Sequence, residues 1–336
     1  MTQPVTQPVP QPVTQPGATG PEPALDPGTS VLLAPGQGAQ RPGQLTPWLD
    51  LPGASRRLEQ WSQAAGLDLV AAGTQWPAER ILPTEVAQPL LVATSLLVGR
   101  ELLHRTGGNT PGFLAGHSVG EWTAAALAGV LDDVTTLRLV AARGRAMAAC
   151  CGDDGAGGRS GMAVVLGGDP AEVQAAVARA GLLPANHNGA GQLVVGGPVE
   201  ALDALVQDPP RGSAVRRLPV AGAFHTPAMA GAVDALRAAT AGVVPADPRR
   251  PLLSNADGAV VSSGTEVLRR LVLQVAAPVR WDLCTATLGR AGTGTFVELP
   301  PAGALSGMAR RAHPGARLLG LREPGDLGTA AELLGR

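Results

Sequence analysis

The chain contains no lysine and no tyrosine, and only three phenylalanines and three cysteines in 336 residues. Arginine therefore carries all the side-chain positive charge, a bias that reads as genomic composition rather than function. Cys150, Cys151 and Cys284 show neither metal-ligand nor Cys-x-x-Cys spacing, so no metal site or redox dithiol is expected and a reducing cytoplasm suits them. A formal net charge of −1 leaves no electrostatic footprint for nucleic acid. No apolar run approaches the roughly 20 residues of a membrane helix. The N-terminus has neither the basic start nor the apolar segment of a signal peptide.

An apolar fraction of 45% supports a sizeable core. The length suits one large domain or a domain with an insertion. Residues 2–16 repeat Thr-Gln-Pro-Val with small variations, and proline at that density blocks helices and sheet ladders alike. Residues 1–28 are thus expected to form a disordered, extended tail. From Ser30 the texture changes. Val31–Ala34 reads as a buried strand, followed by helices near 54–65 and 85–105, a strand and helix around Ser118, and a helix over 132–149. Strands alternating with helices predict a parallel α/β sheet.

Residues 161–219 read differently. Strands at Met162–Leu166, Leu183–Ala185, Gln192–Val195 and Ala214–Leu218 enclose helices at Pro170–Ala180 and Val199–Val206, with Asp169 as a cap. That order, β-α-β-β-α-β, is the ferredoxin-like unit. It is expected as a small subdomain inserted in a large α/β domain made of residues 29–160 and 220–336. Further strands are expected near Leu252-Leu253 and at Thr295–Leu299.

The chemistry centres on Gly116-His117-Ser118-Val119-Gly120-Glu121. A Gly-x-Ser-x-Gly corner between strand and helix pushes a serine outward, and the glycines let the helix pack on the strand. The plain alternative is a Gly-Ser turn. A serine hydroxyl needs a base. His225, in Ala223-Phe224-His225-Thr226-Pro227, sits in a loop that can reach across a sheet, whereas His104 and His313 read as surface histidines. Pro35-Gly36-Gln37-Gly38-Ala39-Gln40 follows the first strand, and its N–H groups could complete an oxyanion hole with the N–H after Ser118. On the helical wheel of 133–149, Leu137, Val140, Gly144 and Met147 form the apolar side, with Arg138 and Arg145 opposite. Arg143 falls on the flank of the buried side, where an unpaired charge is costly. Its partner is either a local carboxylate or a substrate carboxylate gripped by the guanidinium fork.

Together with Gln88-Pro89, Arg143-Gly144-Arg145-Ala146-Met147, Asn186-His187-Asn188 and Gly191-Gln192, these segments resemble, in family order, the malonyl-CoA:acyl carrier protein transacylases, which include polyketide synthase acyltransferase domains. The likeness runs from about Val31 to Leu319 and implies an α/β-hydrolase-like large domain with the ferredoxin-like insertion. It implies Ser118 as nucleophile and His225 as base. The N–H groups of Gln37 and Val119 would form the oxyanion hole. Arg143 would hold the free malonyl carboxylate, with Gln88, His117, Phe224 and Asn255 around the substrate. Gln274 matches the position whose main-chain carbonyl orients the histidine.

The partners implied are malonyl-CoA and an acyl carrier protein, with no cofactor, metal, nucleic acid or membrane, in a cytoplasmic monomer. The absence of a ketosynthase, reductase or carrier stretch implies action in trans. The tail and composition suggest a specialised pathway in a high-GC bacterium, with the enzyme acting in trans for a polyketide synthase and fatty acid synthesis as the alternative. Phe224 and Val119 are the malonyl-type choices in the family. Gly222 stands where many malonyl-type members have histidine, so a looser pocket is expected. Glu298-Leu299-Pro300-Pro301-Ala302-Gly303 replaces the family's Gly-Pro-Gly turn, so that turn is expected to be rebuilt.

Rival readings are a transacylase moving a larger acyl group between carriers, a hydrolase clearing stalled carriers, and an idle docking module. Arg143 argues against the hydrolase, and the complete Ser118, His225 and Gln37 set argues against the docking module. A generic esterase would expect an acid between serine and histidine in sequence.

Overall fold

The computed structural model describes residues 26–107, 111–151 and 159–335. Four parallel strands form the first sheet, in the order β2-β1-β7-β8: β1 (Asp26–Ala34), β2 (Phe113–Gly116), β7 (Thr293–Glu298) and β8 (Arg317–Gly320). β1 is central, with Leu32 opposite both Leu114 of β2 and Val297 of β7. Its side chains alternate between two cores. Leu32 and Ala34 pack with Trp122 and Leu299, whereas Val31 and Leu33 pack with Trp281 and Phe296. A strand buried on both faces reads as the unbroken apolar run Val31–Ala34. β1 begins at Asp26, three residues inside the stretch expected to be tail; residues 1–25 lie outside the described residues.

The second sheet is antiparallel, in the order β4-β5-β3-β6: β3 (Ser160–Gly167), β4 (Leu183–Gly189), β5 (Gln192–Pro198) and β6 (Ser213–Arg217). Helices Pro170–Arg179 and Val199–Gln207 provide the two crossovers, and Asp169 caps the first through the N–H groups of Ala171 and Glu172. This is the ferredoxin-like topology that the order of elements predicts. It is inserted between β2 and β7 of the parallel sheet.

Two expectations, a strand at Leu252-Leu253 and a surface His313, are corrected. Leu252 and Leu253 form isolated bridges to Leu114 and Val260 rather than a strand. Pro251 lacks an N–H there and the chain turns again at Asn255, so no ladder can extend. Helix Thr84–Arg105 is long and apolar enough, by length and composition, to cross a membrane; 83% of its apolar window is buried inside the protein. It is a core helix, apolar all round because the large domain surrounds it. His313 is buried and stacks on Phe296 at 4.9 Å instead of facing solvent.

The corner after β2 depends on three glycines. A Cβ on Gly116 would lie 2.1 Å from the Gly120 backbone, one on Gly120 would lie 2.2 Å from the Ala34 carbonyl oxygen, and one on Gly36 would lie 2.6 Å from the His117 oxygen. The atoms in the way are main chain and cannot swing aside. The late turn is organised around Glu298, whose buried carboxylate accepts the N–H groups of Gly303, Leu305 and Ser306 and the Ser306 hydroxyl. That carboxylate caps helix Ala304–Ala312, which has no side-chain N-cap of its own.

Gly120→Ala is expected to lower stability by at least about 2 kcal/mol through overpacking. Gly307→Ala, in the middle of a helix with nothing within 4 Å, should be neutral or raise stability by about 0.5–1 kcal/mol. Denaturant midpoints measured on both variants check this; an unshifted Gly120→Ala would contradict the close-approach argument.

Candidate active site

Ser118 stands at the corner with φ 52°, a left-handed conformation unusual for a non-glycine residue. Its N–H is held by Asn255 Oδ1 at 2.8 Å, which fixes the strained turn from below. His225 also has a positive φ, 60°. Its own N–H donates to the Val275 carbonyl, and Thr226 Oγ1 donates to the Ala223 carbonyl, which locks the loop. The two strained residues meet: Ser118 Oγ and His225 Nε2 are 2.7 Å apart. On the other side of the ring, Nδ1 lies 2.8 Å from the main-chain oxygen of Gln274. A carbonyl only accepts, so Nδ1 carries the proton and donates. Nε2 is then bare and accepts the serine hydroxyl proton. No carboxylate is needed to set this tautomer.

Arg143 is fully buried. Nη1 donates to Gln88 Oε1 at 2.7 Å; Nη2 donates to Gln274 Oε1 at 3.0 Å and to Ser118 Oγ at 3.3 Å. All three acceptors are amide or hydroxyl oxygens, and Nε finds none among the described residues. The helical wheel placed this residue correctly on the buried flank, with Arg138 and Arg145 exposed.

The amides around it form a chain. Gln88 Nε2 donates to Gln37 Oε1, and Gln37 Nε2 donates to Thr84 Oγ1, each at 3.2 Å. On the far side Gln274 Nε2 donates to Ser118 O at 3.2 Å and to Glu121 Oε2, while Glu121 Oε1 accepts the Asn255 N–H at 2.6 Å. Asn255 Nδ2 donates to Gly116 O at 2.8 Å, closing the network beneath the corner.

Burial and then the Arg143 charge push His225 down to about 3. Burial pushes Glu121 up to about 8 and Arg143 down to about 9, and each charge opposes the other's shift. His117 is lowered by burial, against its hydrogen bond with Asn188 at 2.9 Å. Cys151 is pushed up to about 11 by burial, which leaves it a poor nucleophile beside the site.

A cavity of about 280 Å³ opens onto Ser118 and His225. Gln37, Gln88, His117 and Phe224 line it from the large domain, Met162, Val164 and Val194 from the small sheet, and Leu305 and Met308 from the helix that Glu298 caps. The cleft therefore lies between the two sheets. Asn255, expected in its wall, lies beneath instead: it is 1% exposed and its three polar groups are spent on the corner. At Gly222, where a looser pocket is expected, an added Cβ would lie 2.7 Å from Cys151 Sγ and 3.3 Å from Phe224 Cε1.

Two groups escaped sequence reasoning. Glu121 is the sole charge in the otherwise apolar stretch 120–131, and that isolation was its signal. The Gln274 side chain gave none, because only its main chain had an expected role. Among the described residues, no cluster of three histidines, cysteines or carboxylates could hold a metal ion.

Comparison with known proteins identifies the family. Residues 31–321 match the acyl transferase domain family, and the chain belongs to it. It is 48% identical over 306 residues to the malonyl CoA-acyl carrier protein transacylase of Mycobacterium tuberculosis, covering 90% of this chain and 99% of that one. The crystal structure of MCAT from the same organism superposes with a TM-score of 0.86 at 47% identity, over 90% and 99% of the two chains. A malonyl-transacylase solved in complex with its type II polyketide synthase acyl-carrier protein gives 0.81 at 29% identity, again over 90% and 99%.

His225 is expected to stay neutral, protonated on Nδ1, from pH 7 down to pH 5. Its folded value lies near 3, while the unfolded chain takes the proton near 6.5. The stability this contributes is therefore present above 6.5 and lost as pH falls toward 3. Nitrogen-15 NMR of the imidazole tests the tautomer; titration near 6.5 in the folded enzyme would contradict it.

Proposed function

We propose that this acyltransferase moves a malonyl group from malonyl-CoA to the phosphopantetheine thiol of an acyl carrier protein through a malonyl ester on Ser118. One observation carries the reading: a buried guanidinium that, among the described residues, has no hydrogen-bonded carboxylate and no partner for Nε, its Nη2 3.3 Å from the nucleophile. An acyl group esterified to Ser118 has its far end within reach of Arg143, and a terminal carboxylate would supply the missing anion. A charge-assisted contact of this kind contributes about 1.5–3 kcal/mol. The names of the M. tuberculosis relative and the carrier complex support the same substrate pair.

In the first half-reaction, Ser118 Oγ attacks the thioester carbonyl as its proton passes to His225 Nε2. The N–H groups of Gln37 and Val119, which have no acceptor among the described residues, take the oxyanion. Collapse breaks the carbon–sulfur bond, and the departing coenzyme A thiolate takes the proton from His225. In the second, the carrier thiol gives its proton to His225 and attacks the ester; Ser118 leaves and recovers the proton. Each step is acyl or proton transfer, so we assign no cofactor. Because the Gln274 carbonyl stabilises the protonated imidazole in both directions, one base serves both thiols.

Gln88 acts by holding Nη1 of Arg143, and His117 forms part of the acyl pocket, held by Asn188. Phe224, 5% exposed beside His225, faces the acyl group at its α-carbon and disfavours a methyl branch there. The finer reading is transfer in trans to a polyketide carrier, supported by the carrier complex of the 29% identical relative.

Intact-protein mass spectrometry is the test. Wild type should gain one malonyl group from malonyl-CoA and lose it to holo-carrier protein, with fatty acid and polyketide carriers compared. Ser118→Ala should gain none, and His225→Ala should slow both steps by about 10²–10⁴-fold. A malonyl adduct on Ser118→Ala, release to water rather than to carrier, or preferred loading of methylmalonyl-CoA would each overturn the corresponding part of the reading.

A further inference from the structure

We infer that Glu121 is a positioning residue for the acyl-group carboxylate, acting on Arg143 through the amide of Gln274. The argument is one of donors and acceptors. Asn255 N–H and Gln274 Nε2 both point at the Glu121 carboxylate, which accepts one on each oxygen. With Asn255 N–H on one oxygen and Gln274 Nε2 on the other, both Glu121 oxygens act as acceptors, and this imposes one orientation on the Gln274 amide: NH₂ toward Glu121, oxygen toward Arg143 Nη2. That oxygen holds the guanidinium beside Ser118 Oγ. Glu121 itself touches neither Ser118 nor His225 through its side chain among the described residues, and it does not line the acyl cavity. Apart from the direct pull of its charge on Arg143, its effect on the substrate passes through Gln274.

Replacing the carboxylate by an amide reverses the pattern. In Glu121→Gln the main-chain N–H of Asn255 still demands an oxygen, so the new NH₂ faces Gln274. Two NH₂ groups then oppose each other until the Gln274 amide turns over. Turned over, it aims NH₂ at Arg143 Nη2 and sets its oxygen against the Ser118 carbonyl that Nε2 serves in the wild type. The main-chain carbonyl of Gln274, which orients His225, is not part of this exchange. The expected defect is thus in recognition of the carboxylate rather than in the serine–histidine pair.

The inference rests on the reading that Arg143 takes the substrate carboxylate, and the experiment separates the two. Rates of Ser118 loading by malonyl-CoA and by acetyl-CoA are measured for wild type, Glu121→Gln, Arg143→Ala and the double variant. Arg143→Ala should lower the malonyl-to-acetyl ratio by tenfold or more, and an unchanged ratio would overturn the reading of Arg143 itself. Glu121→Gln should also lower the ratio by tenfold or more, with the malonyl loss mainly in KM. Added to Arg143→Ala, it should change the ratio no further, because both act on one contact. A Glu121→Gln enzyme that loses malonyl and acetyl loading equally, or shifts the ratio additively with Arg143→Ala, would overturn the inference and leave Arg143 in place. Should Glu121→Gln fail to fold, Gln274→Met removes the same amide while keeping the carbonyl on His225, and carries the same expected ratio.

Discussion

A guanidinium with no accessible surface and no carboxylate hydrogen-bonded to it is the constraint around which this site is built. Burying such a charge is unfavourable unless its N–H groups are met. The protein meets them with side-chain amides drawn from separate parts of the chain. Gln88 comes from the second turn of an apolar core helix, and Gln274 from the short helical turn after helix Gly264–Leu273. A polar residue inside helix Thr84–Arg105 would be a defect without Arg143; with it, the Gln88 oxygen and Arg143 Nη1 meet each other. The amides neutralise little charge, which leaves Arg143 available for an anion arriving with the substrate.

The same residues set the acid–base chemistry. Gln274 presents its main-chain oxygen to His225 and its side-chain oxygen to Arg143, so one residue orients both the base and the guanidinium. The nearby positive charge helps hold His225 neutral and ready to accept a proton. Ser118 and His225 both stand at positive φ, and the surrounding network holds each in place: Asn255 beneath Ser118, the Val275 carbonyl beside His225. The two sheets divide the remaining work. The parallel sheet supplies the rigid corner, and the antiparallel sheet closes the cavity with Met162, Val164 and Val194.

The fold was largely legible because its signals are local. An unbroken apolar run marks a strand buried on both faces, glycine pairs mark the corner, and the order of short strands and helices marks the inserted unit. What escaped depends on distant parts of the chain. Leu252 and Leu253 have strand composition but lie between a proline and a turn. Helix Thr84–Arg105 has membrane-like composition because its whole circumference is packed. Ser118, His225 and Arg143 could be picked out by residue type and position. The Glu121–Gln274 link could not, since it joins residues 153 apart whose only sequence signal is one isolated charge. Asn255 was recognisable by position, yet whether it faces the cleft or supports the corner is decided by three hydrogen bonds that no local pattern encodes.

The central claim is that Arg143 waits for a carboxylate attached to Ser118. A crystal structure of the enzyme trapped as its malonyl ester tests it most directly. The account predicts the ester on Ser118 Oγ, the malonyl carboxylate forked on the guanidinium, and the Gln274 oxygen still facing Arg143. A malonyl carboxylate turned into the open cavity, with Arg143 bonded only to Gln88 and Gln274 as it is here, would contradict it.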